Sequence, residues 1–465
     1  MSALSESRDV VILGAGFSRA LSATCPLTDE LGEKVRPFIS GEEKTLLPPG
    51  GFKNGRFEEW LSYLSEAQPH HTVEQSKEAE LLAVRVTRLI REVLSTVQSD
   101  VLVGQPEPWF YEILSVLHVL RAQVITLNYD NFVECGVQAL QLPIKSWFGA
   151  PAVCEDDILA GLPPCVDVSG SLAPQAASYP YAGEVAGVEE RRNGTFSLLK
   201  LHGSLSWYWL PGGTGNSTLR RWRLPGVFGE LWDPDEQLRR EVLPSHDIFI
   251  VPPAALKGQH LVEPVTRELW RRAAEALTKA DRIVMIGYSV PQADHSVVGM
   301  LAEGIRDRDV QIEVVNPRPE EVVERLLRLG VPRDAMSIND GAECVARWSS
   351  NEVSRLARGA AQAIRADDKL AADGEVLMFS AGPRQDRFSN CDAVDVGGSS
   401  VTLHVVPVGQ QSAKPLKFED IREPLQSASE LFIETDGTVL PVIDHWVRER
   451  RSGVPMTQLH LMTSR

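Results

Sequence analysis

Five short, almost continuously apolar segments alternate along the chain with stretches in which apolar residues recur at helical spacing. The apolar segments are Asp9–Leu13, Gln123–Leu127, Ser197–Leu201, Arg282–Ile286 and Ile312–Asn316. Strands that are covered on both faces have this character, because both of their surfaces lie inside the protein. Strands that alternate with helices form parallel βαβ units, so the pattern predicts an α/β fold with a doubly wound, Rossmann-like parallel sheet.

Helices are predicted wherever apolar residues repeat on one helical face. In the longest of these stretches Leu82, Leu89 and Val93 share such a face, and before it Pro26, Thr28 and Asp29 indicate a helix start. The predicted helices cover residues 57–66, 72–98, 108–121, 131–140, 263–280, 293–306 and 319–329.

The pattern changes in two places and so predicts the domain organisation. Residues 1–345 form the first domain, with Gly- and Pro-rich surface insertions near 150–195 and 211–245. A linker helix is predicted within 346–369. The short strands beyond it, without βαβ alternation, predict a smaller C-terminal α+β domain over 370–465.

Composition and charge narrow the functional classes. The 465 residues carry a formal net charge of −16, which on average repels nucleic acid and anionic membranes. No apolar run approaches the roughly 20 residues of a membrane span, and the N-terminus has no secretory signal pattern. The six cysteines form no CxxC pair, as in proteins with reduced thiols. We therefore predict a cytoplasmic protein without a membrane anchor, and we expect no direct nucleic-acid binding.

A glycine-rich segment, Gly14–Ser18, follows the first strand and precedes a helix. Glycines at positions 14 and 16 let the backbone approach a pyrophosphate closely, and the amides that follow can donate to its oxygens. Arg19 stands where the dehydrogenase fingerprint GxGxxG has its third glycine, so that fingerprint is incomplete. A tight turn without a ligand is the alternative interpretation.

Polar residues also end the second and third strands. TLNYD places Asn128, a donor and acceptor, and Asp130, a carboxylate, where a doubly wound sheet binds ligands. In LHGSLSW, His202 stands at a strand end, where a neutral imidazole can accept a proton near neutral pH. Asp130 could instead cap the helix at 131–140, and His202 could be a hydrogen-bonded structural residue.

The fourth and fifth strands end in comparable segments. Gly287 and Ser289 form a strand-to-helix turn suited to a phosphate, and Asn316 can bond to a ribose hydroxyl. A plain turn explains either segment equally well when each is taken alone. Five such segments at the ends of five successive strands form a combined pattern that is far more specific.

The order and spacing of these five segments resemble the sirtuin family, which has GAGxS, TxNxD, His-Gly, a GxS turn and a late strand-end Asn. The resemblance covers about residues 8–345. GAGFS followed by P-x-T-D-E, together with LKLHGSLSW, is similar to the sirtuin-like NAD-cleaving effectors of bacterial anti-phage systems. The resemblance implies a sirtuin-like fold that uses NAD+ as its substrate.

The resemblance also implies roles for the matching residues. Asn128 and Asp130 would lie at the nicotinamide ribose, and His202 would be the catalytic base. The residues implied at the NAD+ phosphates and adenosine ribose are Gly14, Ala15, Gly16, Phe17, Ser18, Gly287, Ser289 and Asn316. Asp29 lies near the D-F-R segment of sirtuins and is a further cofactor-binding candidate, although the arginine of that segment is absent.

One departure from the family bears on the substrate. Sirtuin deacetylases carry a four-cysteine zinc module between the His-Gly pair and the GxS turn, whereas residues 203–286 contain no cysteine. Cys154 and Cys165 lie earlier and are only two, where structural zinc usually takes four ligands. We therefore expect no metal site, no zinc and no zinc-based clamp for an acetylated peptide.

These features predict an NAD+ hydrolase (NADase) that releases nicotinamide and ADP-ribose, acting as an abortive-infection effector held inactive until triggered. The resemblance implies a homo-oligomer, or a protein partner such as a HerA-type ATPase, a short Argonaute or a phage protein. A protein deacylase and an ADP-ribosyltransferase remain alternative activities. The non-enzymatic alternative is a sensor that binds NAD+ or ADP-ribose, although a pure binder would need neither Asn128 nor His202.

Overall fold

The computed structural model describes residues 8–53, 56–66, 68–140, 196–210, 218–222, 226–231, 236–253, 263–291, 294–367, 375–381, 389–390, 401–407, 414–415, 428–435, 438–450 and 456–464. The insertion predicted at 150–195 lies outside these residues. The helices are α1 (Ala15–Leu21), α2 (Thr28–Val35), α3 (Arg56–Ser65), α4 (Val73–Leu102), α5 (Pro108–Leu120), α6 (Phe132–Ala139), α7 (Glu236–Val242), α8 (Pro264–Lys279), α9 (His295–Ile305), α10 (Glu320–Arg328) and α11 (Cys344–Arg365).

Strands occur in both parts of the chain. Those before α11 are β1 (Asp9–Leu13), β2 (Gln123–Thr126), β3 (Ser197–Lys200), β4 (Gly203–Trp209), β5 (Arg220–Arg221), β6 (Gly226–Val227), β7 (Glu230–Leu231), β8 (Asp247–Ile250), β9 (Arg282–Ile286), β10 (Gln311–Val315) and β11 (Met336–Asn339). Those after α11 are β12 (Glu375–Ala381), β13 (Ser389–Asn390), β14 (Val401–Pro407), β15 (Lys414–Pro415), β16 (Ala428–Thr435), β17 (Thr438–Arg450) and β18 (Met456–Thr463).

A parallel sheet of six strands organises the larger part of the molecule. Its strand order is β11-β10-β9-β1-β2-β3, so the chain builds outward from β1 in one direction and then returns to build outward from β9 in the other. This is the doubly wound Rossmann arrangement, in which ligands bind where the strand order reverses. The predicted α/β fold class is confirmed, and the point of reversal lies between β1 and β9.

The register brings the carboxyl ends of five strands to one level. Leu13 of β1 pairs with Thr126 of β2 and with Ile286 of β9. Thr126 pairs in turn with Lys200 of β3, and Ile286 pairs with Val315 of β10. Each of these five residues ends its strand, so the segments that follow them lie side by side along one edge of the sheet.

The burial of this sheet on both faces explains why its central strands can be predicted from the sequence. Residues 10–13 of β1 are at most 1% exposed, because helices cover both faces of the sheet. The predicted bounds of the first and fourth strands are confirmed without change. The second and third strands end one residue earlier than predicted, and the fifth begins and ends one residue earlier. The sixth strand, β11, and the antiparallel trio β5-β4-β8 that follows His202 were not predicted.

The C-terminal strands form a second sheet in the order β13-β12-β18-β17-β16-β14-β15. Its pairings are antiparallel except for the parallel pair β12 and β18. Helix α11, predicted as a linker within 346–369, begins two residues earlier, at Cys344, and contacts β16 and β17 of this sheet as well as α5. Trp348 of α11 is 1% exposed, so the helix is part of the core that joins the two sheets. The predicted smaller C-terminal region is thus present, while its exact boundary stays a prediction.

Within the described ranges, no helix has both the length and the apolar character needed to cross a membrane.

Candidate active site

The five predicted segments form a row along the carboxyl edge of the large sheet. In spatial order the row runs through Asn316, Gly287, Gly14, Asn128 and His202, which follow β10, β9, β1, β2 and β3. Neighbouring strands lie about 4.8 Å apart, so four intervals make a row of about 19 Å. These residues lie far apart in the sequence, between positions 14 and 316, and the parallel register brings them to one edge of the sheet.

Two glycine turns contact each other through their backbones at the centre of the row. The first glycine turn is Gly14–Ser18 after β1, and the second is Gly287–Ser289 after β9. The amide of Gly14 donates to the carbonyl of Ile286 at 3.1 Å, and the amide of Gly16 donates to that of Gly287 at 2.9 Å. A Cβ on Gly14 or Gly16 would lie 2.6 or 2.7 Å from backbone atoms of Gly287. Gly287 has φ +62°, and a Cβ on it would lie 2.2 Å from the amide nitrogen of Phe17. The sequence predicts these glycines for a ligand, but the contact between the two turns already requires them.

Asn128 is held by the first of these turns. Its Nδ2 donates to the carbonyl of Gly14 at 3.0 Å and to the hydroxyl of Ser18 at 2.9 Å. Ser18 Oγ in turn donates to Oδ2 of Asp130 at 2.7 Å. The predicted binding residues Gly14 and Ser18 and the predicted catalytic residues Asn128 and Asp130 therefore form one connected group. Both amide protons of Asn128 are used in these bonds, so its orientation is fixed.

The Asp130 carboxyl contacts Asn128 only indirectly, through the hydroxyl of Ser18. Burial raises the pKa of Asp130, whereas the Lys200 ammonium and the Ser18 hydroxyl act in the opposite direction. The backbone amide of Phe132, the first residue of α6, donates to Oδ1 at 3.4 Å. The alternative prediction was that Asp130 caps the helix at 131–140. The N-cap residue of α6 is Asn131, so Asp130 lies one residue before the cap, and its contact with Phe132 is compatible with its place in the group around Ser18.

A buried ion pair supports the loop that carries Asn128 and Asp130. Lys200 Nζ lies 2.9 Å from Oε1 of Glu134, and the two side chains are 1% and 3% exposed. Lys200 also donates to the carbonyl of Asp130. Asn131 Nδ2 lies 2.8 Å from Ser204 Oγ and 3.1 Å from Glu134 Oε1, which extends the network to β4. Nothing in the spacing of these residues had indicated this network.

His202 lies at the far end of the row and is 6% exposed. Its Nε2 lies 3.4 Å from Oδ2 of Asp294, which is 2% exposed. The rings of Tyr129 and Trp270 have centroids 6.5 Å from the imidazole centroid, each at a shallow interplanar angle. The carbonyl of His202 accepts from the amide of Val251 at 2.8 Å, so β8 fixes the backbone. Asp294, Tyr129 and Trp270 were not predicted as site residues.

Phe17 and Asp29, two of the predicted binding residues, have structural contacts. The Phe17 side chain is 1% exposed, and its ring lies 5.9 Å from that of Trp109 and 6.1 Å from that of Phe110. Asp29 Oδ1 accepts from the amide of Phe57 at 3.1 Å and so ties α2 to α3. Their assignment to cofactor binding stays a prediction.

The remaining predicted residues lie on the edge itself. Ala15 begins α1 directly after Gly14. Ser289 is exposed, and its carbonyl accepts from Arg325 of α10. Asn316 Oδ1 accepts from the amide of Arg318 at 3.0 Å and so stabilises the turn after β10. Their positions permit the predicted roles at a phosphate and a ribose, which stay predictions.

The chain was compared with known proteins and with solved structures. No family model matches the sequence, and no curated protein matches it. Among solved structures, the chain is similar to a Sir2 enzyme at 15% identity and a TM-score of 0.31, with 75% of this chain and 92% of the other covered. The strand order and register define the Rossmann-like fold of this chain. In the part of the chain that the structure describes, no group of three or more His, Cys, Asp or Glu residues could hold a metal ion.

Proposed function

We propose that this chain is an NAD+ glycohydrolase, which uses water to cleave NAD+ into nicotinamide and ADP-ribose. The observation that carries the proposal is the order of the row. The residues predicted for the adenosine ribose (Asn316), the diphosphate (the two glycine turns), the nicotinamide ribose (Asn128) and the reacting bond (His202) lie along the sheet edge in the chemical order of the dinucleotide. The row is also about 19 Å long, which suits an extended dinucleotide.

The side chains along the row account for the chemistry of such a cleavage. The nicotinamide of NAD+ already carries a positive charge, so its departure needs positioning and stabilisation of the ribose cation more than an acid. Asn128, with both amide protons bound by Gly14 and Ser18, presents its carbonyl oxygen in a fixed direction. Asp130 helps to hold Asn128 in this orientation, because it accepts a hydrogen bond from the Ser18 hydroxyl to which Asn128 donates.

His202 is the proposed base. A water oxygen bonds to C1′ of the nicotinamide ribose as the C1′–N bond breaks. The bonding electron pair stays on the ring nitrogen, which leaves as neutral nicotinamide. The proton of the water passes to His202 and then to solvent, and the second product is ADP-ribose. The burial of His202 beside Tyr129 and Trp270 excludes bulk water from this end of the row.

Water is the proposed acceptor because the chain lacks the zinc module with which sirtuin deacetylases help to clamp a peptide. Residues 203–286 contain no cysteine. A deacylase would instead transfer ADP-ribose to an acyl group, and an ADP-ribosyltransferase would transfer it to a protein. The products distinguish the three activities.

We further propose that this cytoplasmic NADase is an anti-phage effector that stays inactive until a trigger acts on its C-terminal sheet. The resemblance of the motifs supports this role, and so does a line of contacts. Sheet strands β16 and β17 contact α11. Ser349 of α11 donates to the carbonyl of Trp109 at 3.2 Å, and the Trp109 ring packs on Phe17 in the first glycine turn. Self-association, a HerA-type ATPase, a short Argonaute or a phage protein would each act at that sheet.

The test is product analysis with purified protein and NAD+, by chromatography of nicotinamide and ADP-ribose. We expect Asn128→Ala and His202→Ala to abolish release, and His70→Ala, an exposed histidine remote from the row, to match the wild type. Added acetyl-lysine peptide or acceptor protein tests the two transferase alternatives. The same variants in cells infected with phage supply the trigger. Wild-type activity in His202→Ala, or no nicotinamide release in purified or infected preparations, would contradict the proposal.

A further inference from the structure

The His202 imidazole contacts a buried carboxylate, Asp294, that has no part in the mechanism proposed above. Asp294 Oδ2 lies 3.4 Å from His202 Nε2, and the two side chains are 3% and 7% exposed. His202 follows β3, whereas Asp294 precedes α9, so the contact joins opposite halves of the doubly wound sheet. A buried carboxylate is costly to leave without a hydrogen-bond donor, and the imidazole can supply one.

The backbone position of Asp294 makes this contact unexpected. Asp294 is the N-cap residue of α9, and its carbonyl accepts from the amide of Val298 at 3.0 Å. An aspartate at an N-cap normally turns its carboxylate onto the first free amides of its own helix. The side chain of Asp294 makes no such capping bond, whereas the N-cap residues Thr72 of α4 and Glu263 of α8 do. The Asp294 carboxylate is directed to the histidine instead of to its helix.

We propose that Asp294 is a positioning residue for His202, which fixes the orientation and protonated nitrogen of the imidazole. This inference rests on the proposed function, in which His202 is the base. With a carboxylate at Nε2, the neutral ring carries its proton on that nitrogen and presents Nδ1 as the acceptor. When the ring takes a second proton, the same carboxylate stabilises the resulting cation.

The surroundings favour such a role over a surface ion pair. Tyr129 and Trp270 lie beside the imidazole with ring centroids at 6.5 Å, so little solvent screens the attraction between the two groups. Tyr129 is itself fixed, because its hydroxyl donates to the carbonyl of Val251 at 2.7 Å. The imidazole is therefore held by a carboxylate at one nitrogen and by two neighbouring aromatic rings.

The experiment compares three substitutions at one position. Asp294→Asn keeps the shape and removes the charge, Asp294→Glu keeps the charge, and Asp294→Ser keeps a side chain that caps helices well. Thr72→Ala is the matched control, since it removes an N-cap that does bond to its helix and lies outside the row. For each variant we would measure NAD+ affinity by calorimetry, turnover under the conditions that activate the wild type, and the imidazole ¹⁵N signals of His202.

We expect Asp294→Asn and Asp294→Ser to lose at least about 10-fold in turnover with NAD+ affinity within about 2-fold, as for loss of orientation of a general base. Asp294→Glu should recover part of the loss. The Nδ1 and Nε2 signals of His202, assigned by their absence in His202→Ala, should change in Asp294→Asn and stay unchanged in Thr72→Ala. Wild-type turnover in Asp294→Ser would overturn the proposal, because a capping residue would then suffice.

The nitrogen signals separate this inference from the function on which it rests. If the wild type releases no nicotinamide under any activating condition, the glycohydrolase proposal fails while the signals still report on Asp294. Unchanged His202 signals in Asp294→Asn would then overturn the positioning role as well, and changed signals would support it.

Discussion

The contact between the two glycine turns makes Gly287→Ala the sharpest test of how this edge of the sheet is built. Gly287 has φ +62°, and its new Cβ would lie 2.2 Å from the amide nitrogen of Phe17. Cβ atoms essentially never approach other atoms closer than 3.0 Å, so one of the turns must move by at least about 0.8 Å. One of these two turns carries Gly14 and Ser18, to which Asn128 is bonded.

Two contributions set the size of the effect on stability. A left-handed backbone costs a residue other than glycine about 1–2 kcal/mol. Forcing a methyl group into a packed site adds about 1–3 kcal/mol, so the expected loss is about 2–5 kcal/mol. Gly330→Ala is the matched control, because Gly330 has φ +89° with no atom within 4 Å of the new Cβ. It should lose only the conformational contribution of about 1–2 kcal/mol.

Urea unfolding followed by circular dichroism gives both free energies, and product chromatography gives turnover. A displacement approaching 1 Å at a reacting centre can lower the rate about 100-fold, so we expect a loss of that order in Gly287→Ala and wild-type turnover in Gly330→Ala. The reasoning is refuted if the two variants lose the same stability, since the contact between the turns would then contribute nothing.

Three further predictions concern buried and half-buried ionisable groups. Lys200→Met leaves Glu134 buried without its 2.9 Å partner, so the variant should lose about 3–5 kcal/mol of unfolding free energy. The double variant Lys200→Met/Glu134→Gln should recover part of this loss, and a Lys200→Met variant as stable as the wild type would contradict the prediction. Burial raises the pKa of Cys25 from 9.0 to about 12, so its alkylation by iodoacetamide at neutral pH should be about 1000-fold slower in the folded than in the urea-unfolded protein, and equal rates would contradict it. Burial lowers the pKa of His118 from 6.5 to about 4. The unfolded state binds this proton first, so stability should fall by up to about 3 kcal/mol as the pH drops through that interval, and His118→Gln should remove that part of the loss.

The sequence by itself determined the central strands and the line of functional segments. Strands β1 and β9 have the same bounds in the structure as in the sequence prediction, because strands buried on both faces are apolar at every position. The alternation of strands with helices implied a parallel sheet, and parallel strands bring their carboxyl ends to one edge. Asn128 and His202 could therefore be expected at the same edge before any contact was known.

The edge strand β11 and the antiparallel strand β4 could not be predicted from the apolar pattern of the sequence. Met336–Asn339 forms the outermost strand β11, where only Met336 is fully buried, so it lacks a continuous apolar pattern. Gly203–Trp209 forms β4 after a turn in which Gly203 has φ +81° and lies against the carbonyl of Phe249. Such a strand is specified by its partner β8, and the partner lies far away in sequence.

Only the tertiary structure decided how the functional segments support one another. The sequence places Asp294 directly before a helix, where its local pattern predicts a cap. The fold instead brings it to His202, because the strand that leads to each residue belongs to the same sheet. The glycines at 14, 16 and 287 likewise suggested a ligand, while the structure packs their two turns on each other. Local preference acts between neighbours in the chain, whereas these contacts depend on the strand order, which no short segment encodes.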